Sequence, residues 1–392
     1  MKRAERLKLL LGYNQKKLKR AVLLDALLGL VFRSCNANGG HTSISNPRKI
    51  LVIQSHLIGD IVMATPILRA LKKKYPNAKV SLLANEFAKE LLGESPYIDE
   101  IITMKFPWSI YDYSLKNLYN VINVIKKLRK QKFDLAIDAQ IDIRNLFLMF
   151  LTGAKRRLGY DITGGKVFLT DCPEFPENKC NLLDARLSIL EYLGINYPDK
   201  TTELPVGQEN LRWVDSYLSQ NKLNSDKTVG IHPGASVKEK LWQPEKFAEV
   251  IDFLNSKGYQ PVIIEGPKDA DIVNSIIFLC KAPPPILKTG LKNVVAFICH
   301  CSLIICLDSA AIHLAGAVGT PVVAIYGPKW PELTRPFRDN IEIIWDESFG
   351  CRPCEYGHCV SIGHSCMDSI GTESVIRKVD ELLACKKRIS II

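Results

Sequence analysis

Several signals of common protein classes are missing from this sequence. It has no G-x-x-x-x-G-K-[ST] segment, which argues against a P-loop nucleoside triphosphatase, and no G-x-G-x-x-G after its first strand-like run, which argues against a standard dinucleotide dehydrogenase. The apolar run at residues 21–32 is shorter than the about 20 residues that cross a bilayer. No nucleic-acid-binding motif accompanies the basic clusters, and aromatic residues are not interleaved with them, so nucleic acid is not expected as a partner.

The composition that is present indicates a large globular protein with an anionic partner. A chain of 392 residues with 47% hydrophobic residues is long enough for two domains with full cores. Its 52 Lys and Arg exceed its 41 Asp and Glu, for a formal charge of +11, which favours a membrane surface or a phosphorylated substrate. The 12 cysteines are scattered except for one cluster near the C-terminus, and several lie in apolar runs, as is typical of a reducing compartment.

Residues 1–47 form a basic, amphipathic N-terminal extension and linker. They alternate basic and apolar groups and end in a polar Asn/Gly/Ser/Pro stretch. This pattern is typical of a helix lying on an anionic membrane. A helix packed on the folded body, with its lysines in solvent, fits the pattern equally well.

The rest of the chain alternates strand-like and helix-like runs, which predicts an α/β fold with parallel sheets in two Rossmann-like domains facing a central cleft. We expect a first domain at 48–205, a second at 206–370 and a final helix at 371–392. Predicted strands lie at 50–53, 79–84, 98–104, 133–138, 228–232, 261–265, near 294, 303–307 and 322–326. Predicted helices include 61–74, 117–130, 143–151, 211–218, 242–254 and 310–318.

The stretch at residues 303–336 predicts a strand, a small-residue helix and a second strand. Asp308 and Ser309 stand where the first strand passes into the helix, where unpaired N–H groups and the helix dipole favour an anion. Ligands of open α/β sheets bind at such carboxyl ends of strands. The alternative is that Asp308 only caps the helix and His313 only packs within it.

Two further loops follow predicted strands. Gly59 permits a tight turn after the first strand, and Asp60 stands at the edge of the next helix, either facing a cleft or serving as a plain N-cap. The small-residue loop containing Gly234 and Ser236 is followed by Lys240, a combination suited to a phosphate.

Four blocks of the chain, in order, resemble glycosyltransferase family 9, the ADP-heptose:lipopolysaccharide heptosyltransferases. They are ILVIQSHLIGDIVMATPILRALKKKYPNAKVSLLA, IHPGASVKEKLWQPEKFAEVI, CLDSAAIHLAGAVGTPVVAIYGPKWPELTRP and CRPCEYGHCVSIGHSCMDSI. The resemblance covers about residues 49–385. It implies the GT-B fold, inverting transfer without a required cofactor or divalent metal, and a last helix that crosses back to the first domain.

The resemblance also implies residue roles. Asp60 matches the proposed general base, and Ser55 and Gly59 lie in the same acceptor-side loop. Ala310 stands where family members commonly have glycine, and it keeps the backbone N–H group. The expected donor-binding residues are Gly234, Ser236, Lys240, Asp308, Ser309, Ala310 and His313.

A cysteine cluster occupies residues 351–366 of the second domain. Cys351, Cys354, Cys359 and Cys366, with His358 and His364 between them, offer the ligand types of a structural zinc site, but their spacing is irregular and only one C-x-x-C pair is present. Reduced thiols packing against the domain are the alternative.

The predicted function is inverting transfer of a heptose-like sugar from a nucleotide diphosphate donor, ADP-heptose, to a lipopolysaccharide core or a related surface glycan. The predicted location is the cytoplasm, peripheral on the inner face of the cytoplasmic membrane, where an anionic glycolipid acceptor is available. The alternatives are a GT-B nucleotide-sugar epimerase, a non-catalytic nucleotide-sugar binder and a metal-binding protein.

Overall fold

The computed structural model describes residues 46–110, 112–176, 181–197, 199–352, 354, 359 and 365–389. The predicted N-terminal extension therefore lies outside the described residues, except for its last two. The chain divides into two compact units, Met1–Lys200 and Thr201–Ile392.

The first unit contains one parallel sheet of five strands in the order β3-β2-β1-β4-β5. Its strands are β1 (Lys49–Gln54), β2 (Lys79–Ala84), β3 (Glu100–Thr103), β4 (Leu135–Asp138) and β5 (Arg156–Leu158). Residues 50–53 of β1 are fully buried, as expected of a central strand covered by helices on both faces. Ile53 pairs with Asp138, so the carboxyl ends of β1 and β4 lie side by side.

The described residues of this unit form seven α-helices: α1 (Ile58–Met63), α2 (Thr65–Lys74), α3 (Phe87–Leu92), α4 (Pro107–Ile110), α5 (Leu115–Gln131), α6 (Ile143–Thr152) and α7 (Leu182–Leu187). The single helix predicted at 61–74 is wrong, because the chain forms two helices that meet at Ala64. Pro66 lies in the first turn of α2. Backbone N–H groups in a first turn have no acceptor within the helix, so proline, which lacks an N–H group, is tolerated there.

The second unit contains a parallel sheet of six strands in the order β11-β10-β9-β6-β7-β8. Its strands are β6 (Thr228–His232), β7 (Gln260–Ile264), β8 (Ile286–Leu287), β9 (Leu303–Leu307), β10 (Val322–Ile325) and β11 (Ile341–Ile344). All five residues of β9 are buried, which agrees with its continuous apolar sequence. His232 pairs with Cys306, so β6 and β9 also end together.

The helices of the second unit are α8 (Gln208–Gln220), α9 (Pro244–Ser256), α10 (Ala270–Leu279), α11 (Leu291–His300), α12 (Ala310–Val318), α13 (Pro331–Thr334) and α14 (Thr372–Ile389). The short strand predicted near residue 294 is wrong, because Val294 lies inside α11. Its β-branched neighbourhood suggested a strand, but α11 packs between α8 and α12, and this packing overrides local preference.

The C-terminal helix α14 packs within the second unit. Val375, Val379 and Leu383 are buried in the same cluster as Trp242 and Ile305. That the last helix crosses back to the first domain stays a prediction. Among the described residues, no helix combines the length and the apolar character needed to cross a membrane.

Both sheets reverse their strand order beside the first strand of the unit. In the first sheet the reversal lies between β1 and β4, and in the second between β6 and β9. Ligands of doubly wound folds bind in the crevice at such switch points, at the carboxyl ends of the strands. The topology therefore marks one candidate ligand site in each unit.

Candidate functional site

The switch point of the first unit brings the predicted acceptor-side loop next to β4. Ser55 is buried directly after β1, and Gly59 lies in the first turn of α1. Gln54 Nε2 donates hydrogen bonds to Asp60 O at 3.0 Å and to Ala139 O at 3.3 Å. The last side chain of β1 thus fastens the start of α1 to the loop after β4.

Asp60 is held by a buried arginine. Arg186 Nη2 donates to Asp60 Oδ1 at 2.8 Å, and the arginine side chain is 1% exposed while that of Asp60 is 21% exposed. The plain N-cap alternative for Asp60 is wrong, because Leu57 occupies the N-cap position and α1 begins at Ile58. Asp60 therefore lies within the first turn, with its carboxylate partly open to solvent.

Arg186 is a site residue that the sequence patterns did not predict. It comes from α7, 126 positions beyond Asp60, and no motif connects the two. The available signal was a lone arginine in an apolar helical run, since an unpaired buried charge is costly. Its Nε and Nη1 atoms have no hydrogen-bond acceptor among the described residues, so Asp60 accounts for its charge pairing there.

A second carboxylate lies beside this loop. Asp138 is buried at the end of β4, and burial raises its pKa to about 6, against hydrogen bonds from Asn145 and from the backbone N–H groups of Asp142 and Gln140. These bonds shape the turn after β4. His56 Nε2 lies 3.7 Å from Asp142 Oδ2, which ties the two loops together.

The donor-side loop of the second unit is packed around Asp269. A Cβ atom at Gly234 would lie 2.0 Å from Asp269 Oδ2, so this close approach requires glycine. Asp269 Oδ2 accepts a hydrogen bond from Gly266 N at 3.0 Å and lies 3.7 Å from His232 Nε2. Burial lowers the pKa of His232, and the nearby carboxylate opposes this shift.

Lys240 and Asp308 meet across the second switch point. Lys240 Nζ lies 2.6 Å from Asp308 Oδ2 and donates to Asp308 O at 3.0 Å, and both side chains are buried. The N-cap alternative for Asp308 is wrong, because Ser309 is the N-cap of α12 and its Oγ accepts from Ala311 N at 3.4 Å. Asp308 instead places the lysine cation at the start of that helix.

Of the other predicted donor residues, some lie close to this pair in the chain and one lies on an exposed loop. Ala310 is the first residue of α12, and His313 is buried one turn later. Ser236 is exposed, and no hydrogen bond joins it to Lys240 or Asp308 among the described residues. The structure thus brings Lys240, Asp308 and the α12 N-terminus together, and leaves Ser236 on the adjoining loop.

The cysteine segment borders the same region. Cys354 N donates to Pro328 O, just after β10, and Cys354, Cys359 and Cys366 line one cavity with Lys238 and Glu239. The Sγ atoms of Cys351 and Cys354 lie 3.8 Å apart. The described residues contain no group of three or more His, Cys, Asp or Glu side chains arranged to hold a metal ion.

Comparison with known proteins gives consistent results. Residues 121–361 match the family model described as glycosyltransferase family 9 (heptosyltransferase). Lipopolysaccharide heptosyltransferase 3 of Escherichia coli strain K12 is 28% identical over 340 residues, covering 83% of this chain and 95% of that protein.

Two solved structures share the fold. The family 9 glycosyltransferase of Veillonella parvula aligns with a TM-score of 0.75 and 23% identity, covering 86% of this chain and 98% of that one. The E. coli heptosyltransferase WaaC with ADP-2-deoxy-2-fluoro heptose aligns with a TM-score of 0.64 and 16% identity, covering 85% and 99%. The predicted GT-B fold class, with two parallel α/β units, is confirmed.

Proposed function

Since the chain belongs to glycosyltransferase family 9, we propose that it transfers heptose from ADP-heptose to a lipopolysaccharide core, with inversion at the anomeric carbon. A relative at 28% identity is a lipopolysaccharide heptosyltransferase, and a related structure holds an ADP-heptose analogue. The observation that carries the proposal is the placement of Asp60 at one switch point and of Lys240 with Asp308 at the other. The first domain then serves the acceptor and the second the donor.

Asp60 is the general base in this proposal. Its carboxylate takes the proton of an acceptor hydroxyl as that oxygen forms a bond to the anomeric carbon of the donor. The bond from that carbon to the diphosphate breaks, and the diphosphate leaves with the electron pair. Attack opposite the leaving group inverts the anomeric configuration. Arg186 places a positive charge beside the carboxylate and fixes its orientation.

The second switch point stabilises the departing diphosphate. Lys240 supplies positive charge, and the N-terminus of α12, with Ser309 and Ala310, supplies N–H groups and the helix dipole, while His313 follows one turn later in the same helix. Gly234 lets the donor-side loop pack closely against Asp269, and Ser236 contributes a hydroxyl from the exposed part of that loop. In this proposal these groups act without a divalent metal.

The glycolipid acceptor determines the proposed location. A lipopolysaccharide core precursor is anionic and anchored in a bilayer, and the chain carries a formal charge of +11. We therefore place the enzyme in the cytoplasm, peripheral on the inner face of the cytoplasmic membrane, where its soluble donor and lipid acceptor meet.

A thermal-shift panel of ADP-, GDP-, UDP- and CMP-sugars tests the donor. ADP-heptose is expected to raise the melting temperature, because a ligand at 100 times its Kd stabilises the native state by about 2.7 kcal/mol. Stabilisation by another nucleotide sugar alone would contradict heptose as the transferred group. Conversion of the donor sugar in the absence of any acceptor would instead support the epimerase alternative.

For the cysteine segment we propose a structural zinc site formed by Cys351, Cys354, Cys359 and Cys366. Two thiolates on a tetrahedral zinc, each about 2.3 Å from the metal, lie about 3.8 Å apart, which is the separation of the first pair here. Completing the site requires Cys359 and Cys366 to turn toward this pair. Because the segment borders Lys238 and Glu239, the metal would support the loop that carries Lys240.

Metal analysis of the purified protein is expected to find about one zinc per chain. Cys354→Ser should lose this zinc, since it removes a ligand, and Cys299→Ser should retain it, since Cys299 lies outside the segment. Wild-type protein without bound metal would contradict the site, and the thiols would then serve only in packing.

A further inference from the structure

Helix α5 presents an apolar surface to solvent in the first unit. Its inner side packs on the core through Leu128 and the partly buried Val121, Val124 and Ile125. On its outer side, Leu115 is 86% exposed, Tyr119 64%, Ile122 50% and Leu118 38%. Single exposed apolar residues are ordinary, but a contiguous group on one helix usually marks an interaction surface.

The same outer side becomes basic toward the C-terminus of the helix. Residues at spacings of four, seven, eleven and fourteen positions lie on one face of a helix, so Lys126 and Arg129 continue the line of Leu115, Tyr119 and Ile122. Lys130 borders this line. We call Leu115, Leu118, Tyr119, Ile122, Lys126, Arg129 and Lys130 the α5 stripe.

The part of the protein that the structure describes does not neutralise the basic half of the stripe. Lys127, on the flank, lies 3.8 Å from Glu100 Oε1. Among the described residues, no carboxylate forms an ion pair with Lys126, Arg129 or Lys130, and all three are exposed. The stripe therefore offers apolar side chains in its first two turns and free positive charge in its last two.

We propose that the α5 stripe docks on the surface of an anionic bilayer. Leu115, Leu118, Tyr119 and Ile122 enter the boundary between headgroups and acyl chains, and the basic residues contact anionic headgroups. A surface that is half apolar and half cationic matches a bilayer in both respects, whereas an acidic protein or a free phosphate matches only the charge. The inference deepens the proposed function, because a membrane-anchored acceptor requires such a surface in the unit that carries Asp60.

Co-sedimentation of the full chain with vesicles tests the proposal. Wild-type protein is expected to bind vesicles of phosphatidylcholine mixed with phosphatidylglycerol more strongly than phosphatidylcholine alone. Lys126→Gln/Arg129→Gln/Lys130→Gln should weaken binding to the anionic vesicles by about 100-fold, at about 1 kcal/mol for each charge. Leu115→Ser/Tyr119→Ser should weaken it at least about tenfold, because less apolar surface is buried.

The second unit offers a matched control. Phe278 on α10 is 88% exposed, and Phe278→Ser should leave vesicle binding unchanged. Equal loss in this control and in the stripe variants would contradict the proposal, as would full binding by the stripe variants, which would assign the membrane contact to another part of the chain. A stripe variant that turns a dimer into a monomer without changing vesicle binding would assign the surface to a second copy of the chain.

The outcome is separable from that of the proposed function. The Leu115→Ser/Tyr119→Ser variant should retain its thermal shift with ADP-heptose and its turnover on a detergent-dispersed acceptor, because the two residues lie outside the site. If wild-type protein binds vesicles through the stripe but transfers no heptose, the proposed function fails and the docking surface stands. If it transfers heptose but the stripe variants bind vesicles as well as wild-type protein, the proposed function stands and the docking surface fails.

Discussion

Asp60→Asn is expected to lower kcat by about 10²–10⁴-fold while leaving the Kd for the donor unchanged. The size follows from the loss of a positioned general base, since asparagine has no basic oxygen for the acceptor proton. Donor affinity should persist because the proposed diphosphate contacts all belong to the second unit. Steady-state kinetics with saturating donor, together with calorimetric titration of the donor, measure the two quantities separately.

The Arg186 pair complicates this variant and also supplies its control. Asp60→Asn leaves the buried guanidinium without its anion, and breaking a buried ion pair from one side costs about 3–5 kcal/mol. The double variant Asp60→Asn/Arg186→Met removes both charges and should recover much of the melting temperature without recovering turnover. Asp199→Asn, which removes the anionic partner of another buried arginine, Arg69, should leave kcat unchanged. Wild-type turnover by Asp60→Asn would remove Asp60 from the mechanism.

Most strands were predictable because a buried strand can be identified from a short apolar run in the local sequence. Runs such as 79–84, 228–232 and 303–307 are apolar and short, bounded by turn residues, and the structure has β2, β6 and β9 at these positions. The failures lie where local sequence is ambiguous. Val294 stands in a β-branched run that forms a helix because of what packs against it. The break at Ala64 has a local cause instead, because Pro66 fits the first turn of a helix but not its interior.

For the candidate site, the sequence predicted which loops contribute residues, because these loops directly follow predicted strands. Glycines and polar residues directly after apolar runs pointed to the loops of Asp60, Gly234 and Asp308, and the two switch points contain them. The pairings were not predictable. Lys240 bonds a residue 68 positions away and Asp60 one 126 positions away, and such contacts depend on topology that no local pattern specifies.

The ion pair of the second unit leads to the other large effect. Lys240→Met is expected to weaken donor binding and to lower kcat by about 10²–10³-fold, the usual cost of removing one group that stabilises developing charge. The cation contacts Asp308, the residue directly before the N-cap of α12, so its loss removes the positive charge that offsets the leaving diphosphate. Donor titration and single-turnover transfer rates are the measurements.

The effect of Lys240→Met on stability can be separated from its effect on transfer, because Asp308, the partner of Lys240, can be changed as well. Lys240→Met leaves the Asp308 carboxylate buried without its cation and should lower the melting temperature. Lys240→Met/Asp308→Asn removes both charges and should recover stability, yet transfer should stay slow, since the phosphate contact is still missing. Lys246→Met is the matched control, because this lysine bonds the carbonyls of Asp368 and Ile370 away from the switch point, and its loss should spare donor affinity. If the double variant regains turnover along with stability, Lys240 is a structural residue and the diphosphate charge is met by the helix terminus alone.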